Sequence, residues 1–559
     1  MAATGLEKVI EIREQLIRLK DNVFDGEKNL LTECLNLKPD LQKAEELAAR
    51  LELRRVLARL GSDKKVSYSS VNNSAEIIMP ECEILTRDYK LELREFPERF
   101  AGNPAIWDLK TAHYLLHPDT TTPKLFAKIL DEINSHEEPD KFFADTIGKY
   151  NGEILKHEGL NDIMNKIDLP LIPVLNQMED RGVRLDSEKF LSLQQELQEK
   201  IYEIELKIEH DTAVRINMKS PQQVSWLLFE RLGFEPETLT KGKKVYSTDA
   251  NVLEKLAKRP GGEIPRLILE HRELAKMLTG FVVPLQNAAT KEGIIHTTFE
   301  PASTGTGRLS SRDPNLQNIP AFGQWAEKIK AGLVPVNPEN IFVAADYSQI
   351  ELRVLAYLSG EERLIDAFKN KRDIHTETAS WVFDTAPEFV TPELRRAAKM
   401  INFGLLYGMS KYGLAERLNV SREEAKEIMT RYFDALPGLQ KFLDRLVNEA
   451  KQRGFSRTLS GRIRPVKEIP AKGVALDRAL INSPIQGTAA DIARRAMINF
   501  ESQQKGKLFL QVHDSLVCEC SENEADEVAK ALSEIMINSG GEIKHLEVQI
   551  KKGKNLSHV

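Results

Sequence analysis

Val343-Ala344-Ala345-Asp346-Tyr347-Ser348-Gln349-Ile350-Glu351-Leu352-Arg353 is the stretch on which the fold turns. An apolar run leads into a carboxylate, the pattern of a buried strand whose last side chain emerges at the sheet's edge. A second stretch repeats the design far downstream, Phe509-Leu510-Gln511-Val512-His513-Asp514-Ser515-Leu516-Val517. Asp346 and Asp514, brought together, make an oxygen-donor site of the kind magnesium prefers, one or two carboxylates completed by water and substrate phosphates. Two such ions about 3.5–4 Å apart suit phosphoryl transfer, one activating the attacking oxygen and one stabilising the leaving oxygen.

The rest of the chain sets limits on that site. Its 559 residues are 41% hydrophobic and 29% charged, enough for several domains and ordinary for a soluble globular protein. Apolar runs fall short of the roughly 18 residues of a membrane span, and the N-terminus lacks a basic-then-apolar leader. A cytoplasmic location follows as the expectation, in a bacterial nucleoid or in a host cell if the source is viral. Cys34, Cys82, Cys518 and Cys520 have no zinc spacing and read as free thiols. A net charge of −6 excludes nucleic-acid binding by bulk charge, so any such partner must meet a locally basic groove.

Residues 1–60 are charged and helical in pattern, and residues 61–104 are looser. Within the looser part Ala75-Glu76-Ile77-Ile78-Met79 and Lys90-Leu91-Glu92-Leu93-Arg94 read as strand-like. Residues 107–116 read as a helix closed by His117-Pro118. From Asp186 the spacing of Phe190, Leu193, Leu197, Ile201, Ile204 and Ile208 predicts a helix of five or more turns, part of a long antiparallel arm. Ser220-Pro221-Gln222-Gln223 reads as the start of another, with Ser at the cap and Gln closing a capping box. Lys241-Gly242-Lys243-Lys244 is a candidate backbone-phosphate contact, although lysine runs are usually solvated surface. Residues 304–320 form a polar, Gly-rich loop dense in donors and acceptors.

Thr391-Pro392-Glu393 opens a helix on which Arg395, Lys399, Phe403 and Tyr407 recur at steps of four. They form one stripe, cations toward the N-terminus and aromatics toward the C-terminus. The cations and the positive end of the helix dipole suit phosphates, and the aromatics suit sugar and base. Gly404 within this helix costs about 1 kcal/mol relative to Ala, which points to a close approach there.

With these three segments in this order, the chain resembles the family A DNA polymerases, the group of bacterial DNA polymerase I. Motif A corresponds to residues 346–353, motif B to 395–408 and motif C to 511–515. The resemblance implies an α+β right-hand polymerase fold of palm, fingers and thumb, with a small N-terminal α/β exonuclease-like domain. It implies a helical segment at 1–60 like the tail of a 5′ nuclease domain, an exonuclease-like domain at 61–168 and a polymerase domain at 169–559. Within the last, the thumb is about 186–284, the palm about 296–355 and 476–559, and the fingers about 356–475.

What the family implies for function is DNA-templated addition of deoxynucleotides to a primer 3′-hydroxyl with pyrophosphate release. Its partners are primer-template DNA and deoxynucleoside triphosphates, and its cofactor is a pair of Mg2+ ions for which Mn2+ can substitute. Asp346, Asp514 and the Tyr347 carbonyl become metal ligands, and Lys399 the proton donor to pyrophosphate. Arg395, Lys399, His375, Phe403, Tyr407, Gln349 and Glu351 become nucleotide-binding residues, Glu351 with Tyr407 closing over the sugar to exclude a 2′-hydroxyl. Phe403 stands where some relatives carry Tyr, which predicts discrimination against dideoxynucleotides. Arg308, Asn315, Gln317, Asn318, Arg478, Asn482, Gln486 and His513 become DNA contacts, reading minor-groove acceptors common to every base pair. A monomer without membrane contact is the expected state.

Three departures from the family pattern matter. Ser515 replaces a common third acid, which predicts at most a modest change in metal dependence. Ala321-Phe322 stands where many relatives place an Arg near the phosphates, leaving Lys328 or Lys330 as replacements. The N-terminal third lacks a strand-borne Asp-x-Glu pair and a Tyr-x-x-x-Asp element, which predicts an inactive exonuclease-like domain without proofreading. Competing readings are synthesis of RNA, reverse transcription on RNA templates, and a silent DNA-binding scaffold; Glu351 disfavours ribonucleotides, and Asp346, Lys399 and Asp514 disfavour silence.

Overall fold

The computed structural model describes residues 80–559 apart from 81, 103, 122, 138 and 237–245. The expected tail at 1–60, the strand-like 75–79 and the lysine loop at 241–244 lie outside the described residues. Both acidic stretches are strands of one antiparallel four-stranded sheet, ordered Lys507–Val512, Ser515–Ser521, Asn340–Tyr347, Val548–Gly553. Residues 341–345 are all buried, which is why this strand reads as an unbroken apolar run and not as an alternation. Phe342 and Phe509 stack beneath the sheet with ring centroids 4.8 Å apart. The helix Ala525–Asn538 covers the sheet, and the long helix Val474–Gln503 packs against the helix Ile350–Ser359 that follows Asp346.

The predicted arm begins where its cap lies. Asp186 accepts the Lys189 amide and starts the helix Ser187–Thr212, which packs against Glu263–Met277. Phe190, Leu193, Leu197, Ile204 and Ile208 are buried, and Ile201 partly so. Ser220 caps the next helix as expected, but the Gln223 side chain accepts the Asn217 amide and not that of Ser220. Five helices from Glu362–Lys369 to Arg422–Ala435 form the region that carries the cationic stripe, and Pro437–Arg453 leads back to the palm.

The N-terminal region is a small α/β unit. Strands Ile84–Thr86 and Ile106–Asp108 pair in parallel, with helices between and after them. Two expectations fail here. Residues 90–94 are helical, within Tyr89–Glu95, because Asp88 accepts the Leu91 amide and Glu92 accepts the Arg87 amide; capping chemistry outweighs the alternation of Leu91 and Leu93. Trp107 and Asp108 are strand, and the helix starts only at Leu109, where Asp108 caps it by accepting the Thr111 amide. The helix Leu160–Ile163 runs through a π turn, Met164–Asp168, straight into Leu169–Arg181. The expected boundary at 168 therefore falls inside continuous helix, and the apolar cluster around Trp107 takes in Leu169, Ile172 and Ile463.

Candidate active site

The sheet register brings the two aspartates side by side. Asp346 faces Ser515 on one neighbouring strand and Gln549 on the other. The Tyr347 amide donates to the Asp514 carbonyl at 3.2 Å. Asp514 lies in the tight turn of the adjoining hairpin, where His513 adopts a φ of +53°. That turn is held from beneath: the Gln511 side chain donates to the His513 carbonyl, and Gln317 Nε2 donates to the Gln511 carbonyl at 3.0 Å and its side-chain oxygen at 2.8 Å.

Charge accumulates where the strands end. Burial, then Glu351 and Asp346, push the Asp514 carboxyl up to about 6 against the opposing field of Arg308. Asp346 is more open; partial desolvation by the cleft raises its carboxyl, opposed by Lys551 and His513. Among the described residues neither carboxylate is spent on a hydrogen bond or an ion pair, so their oxygens are available to a hard divalent cation. The Tyr347 ring points away into the core, its hydroxyl donating to the Met536 carbonyl at 2.6 Å, so only its backbone carbonyl is left to serve the site.

Glu351 is buried in the first turn of Ile350–Ser359 and is shared between two partners, accepting from the Tyr407 hydroxyl and from Arg308. Gln349 precedes it with a φ of +55°. Burial first, then Glu351, raises the Tyr407 phenol. This one carboxylate ties together the end of the cationic helix, the polar loop and motif A.

The helix itself is Pro392–Leu406, with Thr391 accepting the Leu394 amide and Pro at its first position. Lys399 is exposed. Arg395, also exposed, is held by Asp373 at 2.7 Å. His375 is buried and neutral: burial above all lowers it to about 4, with Asp373 opposing and Arg395 and Lys399 reinforcing the shift. The Asn402 side-chain nitrogen lies 3.1 Å from its Nδ1, leaving Nε2 as the ring's free donor. Phe403 and Tyr407 stack with centroids 6.5 Å apart. The approach that Gly404 allows is made by Met409, whose Cε would lie 2.7 Å from an added Cβ.

The expected DNA contacts divide. Arg478, Asn482 and Gln486 lie at steps of four along Val474–Gln503, and Arg478 Nε and Asn482 Oδ1 are buried without a hydrogen-bond partner among the described residues. His513 and Asn318 are exposed, and Asn315 caps the short turn Leu316–Asn318. Gln317 lies beneath the surface as a prop for the hairpin. Lys328 is engaged by Glu196 at 2.5 Å and lies over Trp325, whereas Lys330 bonds the Ala321 carbonyl and has its ammonium pKa lowered by burial and then by Lys551. Lys551 escaped the sequence reading; strand alternation places it on the same face as Asp346, two residues beyond Gln549.

Residues 187–558 match the protein family DNA polymerase family A. The chain belongs to that family. It is 34% identical to DNA polymerase I of Caldicellulosiruptor bescii, across 99% of this chain and 74% of the relative. DNA polymerase I of Geobacillus stearothermophilus is 40% identical across 68% of this chain and 44% of the relative. The thermostable DNA polymerase I of Thermus aquaticus is 38% identical across 81% and 55%. The chain thus spans about three quarters of the first relative and about half of the other two. The polymerase domain of Pol1 from M. smegmatis, in complex with DNA primer-template and dNTP, has a similar structure, with a TM-score of 0.77 and 32% identity over 85% of this chain and 86% of that one. The family A region is accordingly a right-hand fold. Family A enzymes use divalent metal ions, and the open carboxylate pair beside the Tyr347 carbonyl fits one. Among the described residues no helix is long and apolar enough to cross a membrane.

Proposed function

We propose that this chain is a template-directed DNA polymerase that adds deoxynucleotides to a primer 3′-hydroxyl and releases pyrophosphate. The observation that carries the reading is the hairpin of motif C bonded to motif A, with Asp346 and Asp514 adjacent and open under the Glu351–Tyr407 pair. Two divalent ions, magnesium or manganese, held by Asp346, Asp514 and the Tyr347 carbonyl, would activate the 3′-hydroxyl and neutralise the leaving phosphate. Lys399, exposed on the fingers helix, protonates the departing pyrophosphate. Arg395 exchanges Asp373 for triphosphate, and His375 donates from Nε2 as a neutral imidazole. Glu351 and Tyr407 fill the space that a 2′-hydroxyl needs, and Gln349 and Phe403 complete the sugar's surroundings.

Arg308 and the stripe Arg478, Asn482 and Gln486 supply the duplex contacts, with His513, Asn315 and Asn318 at the primer end; Gln317 acts by holding the hairpin. The unpartnered Arg478 Nε and Asn482 Oδ1 support this, since buried polar atoms are otherwise nearly always satisfied. The working state is a monomer on primer-template DNA, the ligand in the complex of the similar Pol1 polymerase domain, and a cytoplasmic location accords with the bacterial source of the relatives. The N-terminal region acts as support without proofreading. Asp108 is its buried strand-end carboxylate, and its oxygens accept from Thr86 Oγ1, the Tyr89 amide, and the amide and hydroxyl of Thr111, leaving it committed to the fold. Primer extension by the parent chain, lost in Asp514→Ala while DNA binding is retained, tests the reading; equal extension by the variant contradicts it.

A further inference from the structure

The start of the polar loop, which leads into Arg308, rests on side chains of the N-terminal region. The Tyr114 hydroxyl donates to the Thr304 carbonyl at 2.8 Å, and the Thr304 hydroxyl in turn donates to the Arg308 carbonyl at 2.7 Å. Asp119 takes Arg464 in a two-point pair at 2.7 Å each, and Arg464 also donates to Ser483 at 3.0 Å on the helix that carries Arg478, Asn482 and Gln486. Gly305 packs directly on this pair: an added Cβ would lie 2.3 Å from Asp119 Oδ1 and 2.9 Å from Arg464 Nη2. Beneath them Asp168 binds Arg462 at 2.8 Å and Arg494 at 2.6 Å, and Arg494 donates to the Pro301 carbonyl at 2.6 Å. Tyr114, Asp119 and Asp168 are all buried side chains, facing the polymerase region and not a cleft of their own.

We propose that the exonuclease-like region is a brace for the primer end, with Tyr114 and Asp119 as positioning residues that hold residues 304–307 so that Arg308 reaches primer and sugar gate together. This rests on the reading of Arg308 as a primer-terminus contact. The loop has no regular secondary structure over 301–308 beyond turns, so its shape depends on these outside bonds. Removing one bond to its backbone lets Arg308 wander, and a small misplacement of a contacting group is felt in the chemical step more than in binding.

The test is a double-mutant cycle on the full chain, with kcat and KM for single-nucleotide extension, the DNA dissociation constant and the unfolding midpoint measured for parent, Tyr114→Phe, Arg308→Ala and the double variant. Tyr114→Phe keeps the buried ring and removes one hydrogen bond, so kcat should fall roughly three- to tenfold with DNA binding within twofold of the parent. In the Arg308→Ala background the same substitution should do nothing further. Gly305→Ala, which pushes on the Asp119–Arg464 pair, should behave like Tyr114→Phe and serves as the second variant if either folds poorly. Parental kcat in both variants, or multiplicative effects with Arg308→Ala, overturns the brace. Parental extension by Arg308→Ala itself overturns the primer-terminus reading on which the brace depends.

Discussion

Asp514 in the palm and Asp108 in the N-terminal region are both carboxylates at the end of a strand, and burial raises both, to about 6 and about 7. Their oxygens are used in opposite ways. The side-chain carboxylates of Asp514 and its neighbour Asp346 are left without hydrogen-bond or ion-pair partners among the described residues, whereas that of Asp108 accepts two hydrogen bonds on each oxygen. Asp168 is likewise committed, its carboxyl held below the usual range because Arg462 and Arg494 outweigh the cost of its burial. A strand-end aspartate is therefore a metal-ligand candidate only where the fold leaves its lone pairs free. On this contrast rests the proposal that one region does the chemistry and the other supports it.

The largest expected effect breaks the open pair. Asp514→Asn removes a charge on which several kcal/mol of transition-state stabilisation depend, so primer extension should fall about a thousandfold or more. Single-turnover extension measures it, with DNA affinity as the control. Next, Asp168→Ala strikes the committed set, leaving buried Arg494 without its carboxylate and Arg462 with Asp491 alone, which should cost about 3–5 kcal/mol in urea unfolding. Loss of activity at unchanged stability would instead place Asp168 in the chemistry. Third, Glu351→Ala opens the proposed sugar gate; the ratio of ribonucleotide to deoxynucleotide kcat/KM should rise on the order of ten- to a hundredfold.

The smallest effect is one of pH and compares a histidine from each region. His113 and His375 are both held at about 4, chiefly by burial. Each binds its proton less readily when folded than when unfolded. The stability they contribute is therefore full above the ordinary value of 6.5 and is lost as pH falls toward about 4. His113→Phe should flatten the parent's acid destabilisation by about 1–3 kcal/mol across that window, read from urea midpoints at a series of pH values. Unchanged slopes would show that His113 is accessible to protons in the folded state.

The palm and the cationic helix were legible because their signals are local: an apolar run ending in a carboxylate forces a strand-end acid, and steps of four force one helical stripe. The arm was legible for the same reason, from the Asp186 cap and the spacing of Phe190, Leu193 and Leu197. Residues 90–94 were misread because Leu91 and Leu93 alternate as in a strand, and only the bonds of Asp88 and Glu92 decide otherwise. The partners of charged groups were not legible at all. Arg464 finds Asp119 across 345 positions of sequence, and Arg308 finds Glu351 across 43. The resemblance makes Gln317, beside Arg308, an expected DNA contact, and its burial under the hairpin is a tertiary fact that no local pattern carries. Lys551 was passed over because a lysine on a C-terminal strand carries no local mark of the carboxylate it will face.

The most direct measurement follows a labelled primer, with a matched or a mismatched 3′ end, on a DNA template with magnesium, in the presence and absence of deoxynucleotides. One open carboxylate pair and one committed set predict that the matched primer lengthens only when nucleotides are supplied and that neither primer shortens. Shortening of the mismatched primer, abolished by Asp108→Ala, would contradict the account.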